Sequence, residues 1–425
     1  MSIDIDPADL ILPARYGDRG IPHDAWTKLR RDAPVFRCEP DGYAPFYAIT
    51  RHADIMEISN KPQIFSNIEG PILQDRESQE RQDESAAAMP FTTIIQMDPP
   101  KHREYRKVAS GLFTPRSTDR LDEIVAECAR AHVDKLGAEG ETDFVEEVSQ
   151  RHPLRVLATL LGIGREDEEL LLQLTQQIFA PEDPDLQREG EDRTEADMAL
   201  LADFGALFTR IIADRRANPR EDLASKLANA KMADGSPMGD IETFGYYMIV
   251  FTAGHDTTRN AISGGMLALL ENPDQLEMLR ARPELIRPAV EEIVRWTSPV
   301  NYMRRHLLED VELHGVKMRK GEDLVMYYAS ANRDESVFDT PFDFDITRSP
   351  NRHLGFGTGE HFCLGAHVAR LSMRALFAEL ARRVETIELA GEPSQIASSF
   401  VVGLKSLPVR YRIRPTAGQR FRSSG

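Results

Sequence analysis

A single cysteine, Cys363, lies near the end of the stretch Phe356-Gly357-Thr358-Gly359-Glu360-His361-Phe362-Cys363-Leu364-Gly365, where a helical pattern opens. No other segment restricts the possible folds of the chain as strongly. The glycines before the cysteine let the backbone turn through φ > 0 and approach a large flat partner closely. After it, Leu364, Val368, Leu371, Ala375, Leu376 and Leu380 form an apolar stripe at helical spacing. A cysteine at the head of a helix sits beside exposed backbone N–H groups and the positive end of the helix dipole. Both stabilise a thiolate. Gly355, Gly357 and Gly359 do not follow the G-x-G-x-x-G spacing and no apolar strand precedes them, so a nucleotide loop finds little support here.

A thiolate with one open face suits the axial position of haem iron, where its electron donation favours O–O cleavage. The order Phe-Gly-x-Gly-x-His-x-Cys-x-Gly resembles the haem-binding loop of the cytochrome P450 family. The resemblance implies a mostly α fold with a minor β region, forming one haem-enclosing domain over residues 1–425 with frayed ends at 1–15 and 418–425. It implies haem b as cofactor and Cys363 as its axial ligand, with Phe356, Gly357, Gly365 and Ala253 beside the haem.

With 425 residues the chain can bury a core large enough to surround a cofactor. Lys and Arg total 52 against 69 Asp and Glu, a net charge of −17. That balance argues against a nucleic-acid or anionic-membrane surface. The cysteines are Cys38, Cys128 and Cys363, with no C-x-x-C, so no disulfide framework is read. Met1–Asp6 lacks the basic and apolar blocks of a signal peptide, and no apolar run is long enough to span a bilayer. A cytoplasmic, monomeric protein is expected.

Val35, Phe36, Phe46 and Ile49 flank Asp41-Gly42 and predict a hairpin over 35–50. Residues 60–96 have little period and predict a long loop with short helical pieces. A helix is expected over 117–136, ended by Gly137, with Cys128 on its core face. Residues 144–230 read as largely helical, interrupted at 181–197 by an acidic connection that could act as a lid. One long helix is expected over 239–271 and further helices over 275–297. Short strands are expected over 311–329, and Leu407, Val409, Tyr411 and Ile413 alternate as a late strand.

The long helix carries Ala253-Gly254-His255-Asp256-Thr257-Thr258. Glycine inside a helix costs about 1 kcal/mol against alanine. The Thr257 hydroxyl can turn back onto the Ala253 carbonyl and favour a bend. Activating dioxygen takes two protons. Asp256 can relay them from solvent and Thr257 can position the hydrogen bond. This motif also resembles the oxygen-activating helix of the same family, with His255 facing away from the iron.

Glu292 and Arg295 are helical neighbours at i, i+3 among apolar residues. With Arg348 they resemble the family's Glu-Arg-Arg scaffold, a structural role. Haem brings two propionates that need cations. His102 and Arg106, at i, i+4 behind Asp98-Pro99-Pro100, can offer an imidazole and a guanidinium from one helix face. The resemblance adds Arg304 and His361 to this clamp.

No fused flavin or iron–sulfur domain is expected after the late strand, so electrons are expected from outside. The resemblance implies a small 2Fe-2S ferredoxin with its reductase. Arg370 and Arg374, with Lys101, Arg103 and Lys107, are expected to form a basic docking patch. Carry-over by resemblance puts Ile94, Ile95, Ile249, Ala253, Val300, Phe400 and Val401 over the haem, a set that suits a small apolar substrate. The stretches 295–300, 331–334 and 351–357 most resemble bacterial terpene hydroxylases of the terpineol-oxidising branch. Monoterpenoid and aromatic hydrocarbons lead as substrates, ahead of fatty acids and steroids. The reaction expected is hydroxylation with O2. A haem-binding sensor or carrier would not require Asp256-Thr257, a peroxide-driven relative should lack that pair, and a cysteine hydrolase would need His361 on the sulfur.

Overall fold

The computed structural model describes residues 4–81, 92–110, 121–179 and 193–414. The helices that shape the site are α1 (Lys101–Ser110), α2 (Leu121–Lys135), α3 (Arg151–Leu160), α4 (Asp240–Glu271), α5 (Ile286–Thr297) and α6 (Ala366–Arg383). The strands are β1 (Val35–Cys38), β2 (Phe46–Ile49), β3 (Phe65–Ser66), β4 (Glu139–Asp143), β5 (Tyr302–Leu307), β6 (Asp323–Tyr327), β7 (Val384–Leu389) and β8 (Pro408–Ile413). A two-stranded hairpin, 311–313 with 316–318, projects between β5 and β6.

Helix α4, with 32 residues, is about 48 Å long. Most of its positions are buried on every side, as expected for a helix whose apolar residues follow no single stripe. Its C-terminal half packs with α2, α5 and α6 through Ala261, Ile262, Met266, Val290, Ile293, Met373 and Phe377. Its N-terminal half packs with α3 and with the helices Glu168–Phe179 and Arg193–Ala217, through Leu157, Leu171, Phe204, Phe208 and Phe251.

The larger sheet has the order β1-β2-β6-β5-β3, with β2 parallel to β6 and the other neighbours antiparallel. Its two faces serve two cores. Trp26, Phe46, Tyr302, Val325 and Tyr327 lie on one side, and Ile55, Leu307, Leu324, Met326 and Leu354 on the other. A smaller sheet, β4-β8-β7, closes the far end.

The 35–50 hairpin forms in the register Val35↔Ile49 and Cys38↔Phe46, with Gly42 at φ +83 in its turn. The long helix, the helices of 275–297, the short strands and the alternating late strand all form where periodicity placed them. Two expectations change. Residues 4–15 are not a frayed end: Leu10 and Ile11 are fully buried beside Trp26. The interruption expected over 181–197 is shorter, because the helix Arg193–Ala217 already occupies 193–197. The rest of that segment, the expected lid, lies outside the described residues. So do 82–91 of the expected loop, 117–120 of the expected helix and the 418–425 tail.

Under the cysteine loop, Glu292 and Arg295 are fully buried and joined in a two-point ion pair at 2.7 and 2.8 Å. Arg348 joins Glu292 at 3.2 Å, and Asn351 and the Asp345 N–H each donate to it at 3.0 Å. Arg295 also donates to the carbonyls of Asn332, Pro341 and Asp343. These bonds tie α5 to the segment 332–351. Removing Arg295 takes the two-point partner from a fully buried carboxylate, leaving Glu292 with Arg348 alone as its cation and freeing three carbonyls. Arg295→Ala is therefore expected to cost about 3–5 kcal/mol in chemical denaturation of the holoprotein. A change below about 1 kcal/mol would contradict this structural role.

Candidate active site

Cys363 is fixed through its backbone. Its N–H donates to the Phe356 carbonyl at 2.9 Å, and the Gly357 N–H to the Leu354 carbonyl at 2.8 Å. Gly357 and Gly359 sit at φ +67 and +70, and a Cβ on Gly359 would collide with the Ser59 carbonyl. The loop can therefore close only with glycine there. Helix α6 begins three residues after the cysteine, with Gly365 as N-cap. Cys363 is accessible, yet the protein around it pushes the thiol up. Hydrogen bonds from the Gly365 and Ala366 N–H groups and the charges of Arg106 and Arg370 oppose that rise. Cys38 and Cys128 are buried core residues, and burial raises both thiols.

Ile249, Ala253 and Thr257 recur every four residues and form a stripe that stays accessible on the buried helix α4. The Thr257 hydroxyl donates to the Ala253 carbonyl at 2.9 Å, as the spacing predicts. His255 points the other way, fully buried, with its Nε2 2.8 Å from the Gln150 carbonyl. Asp256 is also buried. It lies 3.5 Å from both Arg259 and His255, and neither of its oxygens has a hydrogen-bond partner among the described residues. The acid is thus held behind the alcohol, against Arg259, and is not open to solvent in this conformation.

His102 and His361 come together, their ring centroids 4.1 Å apart. Burial lowers the His102 imidazole and pushes His361 down to about 2, helped by the neighbouring His102, Arg305 and Arg106 charges. Arg106 donates to the Phe362 carbonyl at 2.6 Å. Among the described residues, Nε2 of His361 is buried without a hydrogen-bond partner, and Nδ1 of His102 has only the Glu360 carboxylate, 4.0 Å away. Arg304 is placed differently from expectation. It donates to the Gly70 carbonyl at 3.1 Å and pairs with Asp323 at 3.4 Å. The period of two in β5 turns its neighbour Arg305 to the opposite face, toward His361 and Tyr328. Arg305 is buried, donates to the Arg304 carbonyl at 2.7 Å and makes no ion pair among the described residues. These imidazole nitrogens beside two guanidinium groups form a donor set that fits two carboxylates of a haem.

Ile94 and Ile249 pack against one apolar cluster that also receives Leu364, next to Cys363. Ile95 is half-buried beside Ile94 in a single 3-10 turn, Ile94–Gln96. Val300 bridges Val401 across two extended segments. Val401 is closed off at 2% exposure, and Phe400 packs on Tyr302 at 5.3 Å, in the core that contains Trp26. Val401 is thus held in a packed layer, while Phe400 stays half-buried against Tyr302.

Three residues of the expected basic patch carry ion pairs. Arg370 and Arg374 share Glu291, at 2.7 and 3.5 Å, and Arg103 pairs with Glu360. Glu291 was not singled out in the sequence, because its partners lie 62–83 residues further along the chain.

The sequence matches the family profile described as Cytochrome P450 over residues 14–412. It is 40% identical over 412 residues to Cytochrome P450-terp of Pseudomonas sp, covering 95% of this chain and 96% of that one. It is 37% identical to Linalool 8-monooxygenase of Pseudomonas putida, covering 94% and 98%. The crystal structure of CYP108D1 from Novosphingobium aromaticivorans superposes with a TM-score of 0.88 at 36% identity, covering 96% of this chain and 98% of that one. No helix among the described residues is long and apolar enough to cross a membrane. Profile, relatives and superposed fold agree over nearly the whole length, and the chain belongs to the cytochrome P450 family, as a monooxygenase that binds haem b through an axial cysteine thiolate.

Proposed function

We propose that this monooxygenase hydroxylates a small apolar substrate, a monoterpenoid or aromatic hydrocarbon, with two electrons delivered by a 2Fe-2S ferredoxin and its reductase. The observation that carries the substrate class is the accessible stripe Ile249-Ala253-Thr257, flanked by Ile94 and Ile95, with no charged side chain in the set. Full-length similarity to Cytochrome P450-terp and Linalool 8-monooxygenase supports it.

When bound, the haem supplies oxygen insertion into a C–H bond, with the second oxygen atom leaving as water. The chain supplies the setting. Cys363 would hold the iron through its sulfur, and the N–H groups of Gly365 and Ala366 donate toward that sulfur, opposing the rise that burial imposes on the thiol. His102, Arg106, His361 and Arg305 hold the propionates, with Arg305 in the position first read for Arg304. Ile94, Ile95, Ile249, Ala253 and Val300 exclude water and orient the substrate by shape. The Thr257 hydroxyl fixes a proton at its Oγ1 through the Ala253 carbonyl. Asp256 supplies protons when its carboxylate leaves Arg259 and turns toward the alcohol.

Titrating the holoprotein with monoterpene alcohols, bicyclic aromatics, fatty acids and steroids tests the substrate class by the substrate-induced change in haem spin state. The terpenoid or aromatic ligands are expected to give the largest change at the lowest concentration. A response confined to steroids or long-chain fatty acids would replace this substrate class while leaving the monooxygenase assignment intact.

A further inference from the structure

Glu291 precedes the scaffold residue Glu292 on α5 but faces a different set of partners. Its carboxylate accepts from His353 Nε2 at 3.0 Å and from Arg370 Nε and Nη2 at 2.8 and 2.7 Å, with Arg374 at 3.5 Å. These groups come from the segment before the cysteine loop and from the helix after it. His353 Nδ1 accepts the Gly355 N–H at 3.2 Å, which leaves the ring proton on Nε2 for Glu291. The Arg370 guanidinium lies over the Phe356 ring, 4.2 Å from its centroid. Phe356 in turn accepts the Cys363 N–H through its carbonyl. Two routes thus run from one carboxylate into the loop, through His353 to Gly355 and through Arg370 to Phe356.

We propose that Glu291 is a positioning residue for Cys363: it clamps Arg370 over Phe356 and offsets that guanidinium's charge, and so sets the haem's reduction potential. The inference rests on Cys363 being the axial ligand. Three features support a device beyond simple packing. The contact to Arg370 is two-pointed, so it fixes orientation as well as distance. The aromatic face under the guanidinium adds a second, directional hold. Finally, Arg370 lies close enough for its charge to act on the sulfur, so neutralising it changes the field there. Two arginines share one carboxylate, leaving one net positive charge beside the loop.

Charge and structure predict different signs, so redox titration of the holoprotein separates them. Glu291→Gln leaves Arg370 uncompensated, which favours the reduced, more negative centre. Arg370→Gln removes the cation and favours the oxidised form. Each is expected to shift the ferric–ferrous equilibrium by about threefold or more, in opposite directions. The double variant should return toward the wild-type value. Arg370→Lys, which keeps the charge but loses the fork, should lie between the wild-type and Arg370→Gln potentials. It also carries the comparison with Arg370→Gln if Glu291→Gln yields no holoprotein. Shifts of the same sign in both single variants, or no shift in either, would overturn the proposal. Altered ferredoxin affinity in Arg370→Gln at an unchanged potential would overturn it in favour of docking. The reduced carbon monoxide spectrum of each variant is read in parallel. Loss of the thiolate-type band in the wild type would refute the ligand assignment itself, a result distinct from unchanged potentials.

Discussion

Cys363→Ser is expected to reduce substrate oxygenation to background while leaving a folded protein. The argument rests on the sulfur's surroundings. The Gly365 and Ala366 N–H groups and the charges of Arg106 and Arg370 stabilise an anion at this point. A serine hydroxyl does not ionise there, so the electron donation that a thiolate offers iron is lost. The loop should survive, because the Cys363 N–H bond to Phe356 and the two glycine turns belong to the backbone. Product formation per haem and the Soret position of the reduced, carbon monoxide-bound protein are the readouts. Cys38→Ser and Cys128→Ser supply the control. Both residues are buried in cores, and their spectra should match the wild type whatever stability they lose. Undiminished turnover in Cys363→Ser would remove the residue from the chemistry.

Thr257→Ala is expected to consume electrons without making product. The hydroxyl sits on the accessible stripe of α4 and is oriented by its 2.9 Å bond to the Ala253 carbonyl. Alanine keeps the helix and the apolar wall but has no proton to position. Reducing equivalents then leave as hydrogen peroxide, and the ratio of peroxide to product rises. Asp256→Asn should act differently. Its carboxylate is buried against Arg259, and removing the charge removes the proton source without widening the cleft. Turnover should fall about 10²-fold, within the usual range for a positioned acid or base, with substrate binding retained. Measuring oxygen, peroxide and product together distinguishes the two variants. Full coupling in Thr257→Ala would refute the relay.

Much of this architecture follows from local rules. The hairpin needs only its turn glycine and flanking apolar residues, and α4 needs only uninterrupted helical residues over 240–271. The cysteine loop is legible for the same reason: its glycine turns and the helix behind it act within ten residues of one another. The differences arise where contacts are long-range or where two equivalent residues compete. Arg304 and Arg305 are adjacent and chemically identical. Only the pairing Arg305↔Leu324 decides which faces His361, and that register is a property of the sheet. Glu291, Arg370 and Arg374 carry no periodic signal, so their shared ion pairs emerge only when α5 packs on α6. Val401 looks like any apolar pocket residue until the Val300↔Val401 bridge sets it in a packed layer. The buried N-terminal turn at Leu10 and Ile11 has a similar cause, because its partner Trp26 and the sheet residue Tyr327 come from separate parts of the chain.

The most direct measurement is the absorbance spectrum of the reduced wild-type protein under carbon monoxide, beside that of Cys363→Ser. A strongly red-shifted Soret band in the wild type, lost in the variant, is the expected result. An ordinary histidine-like band in the wild type, or a red-shifted band that survives the substitution, would contradict ligation of the haem by Cys363.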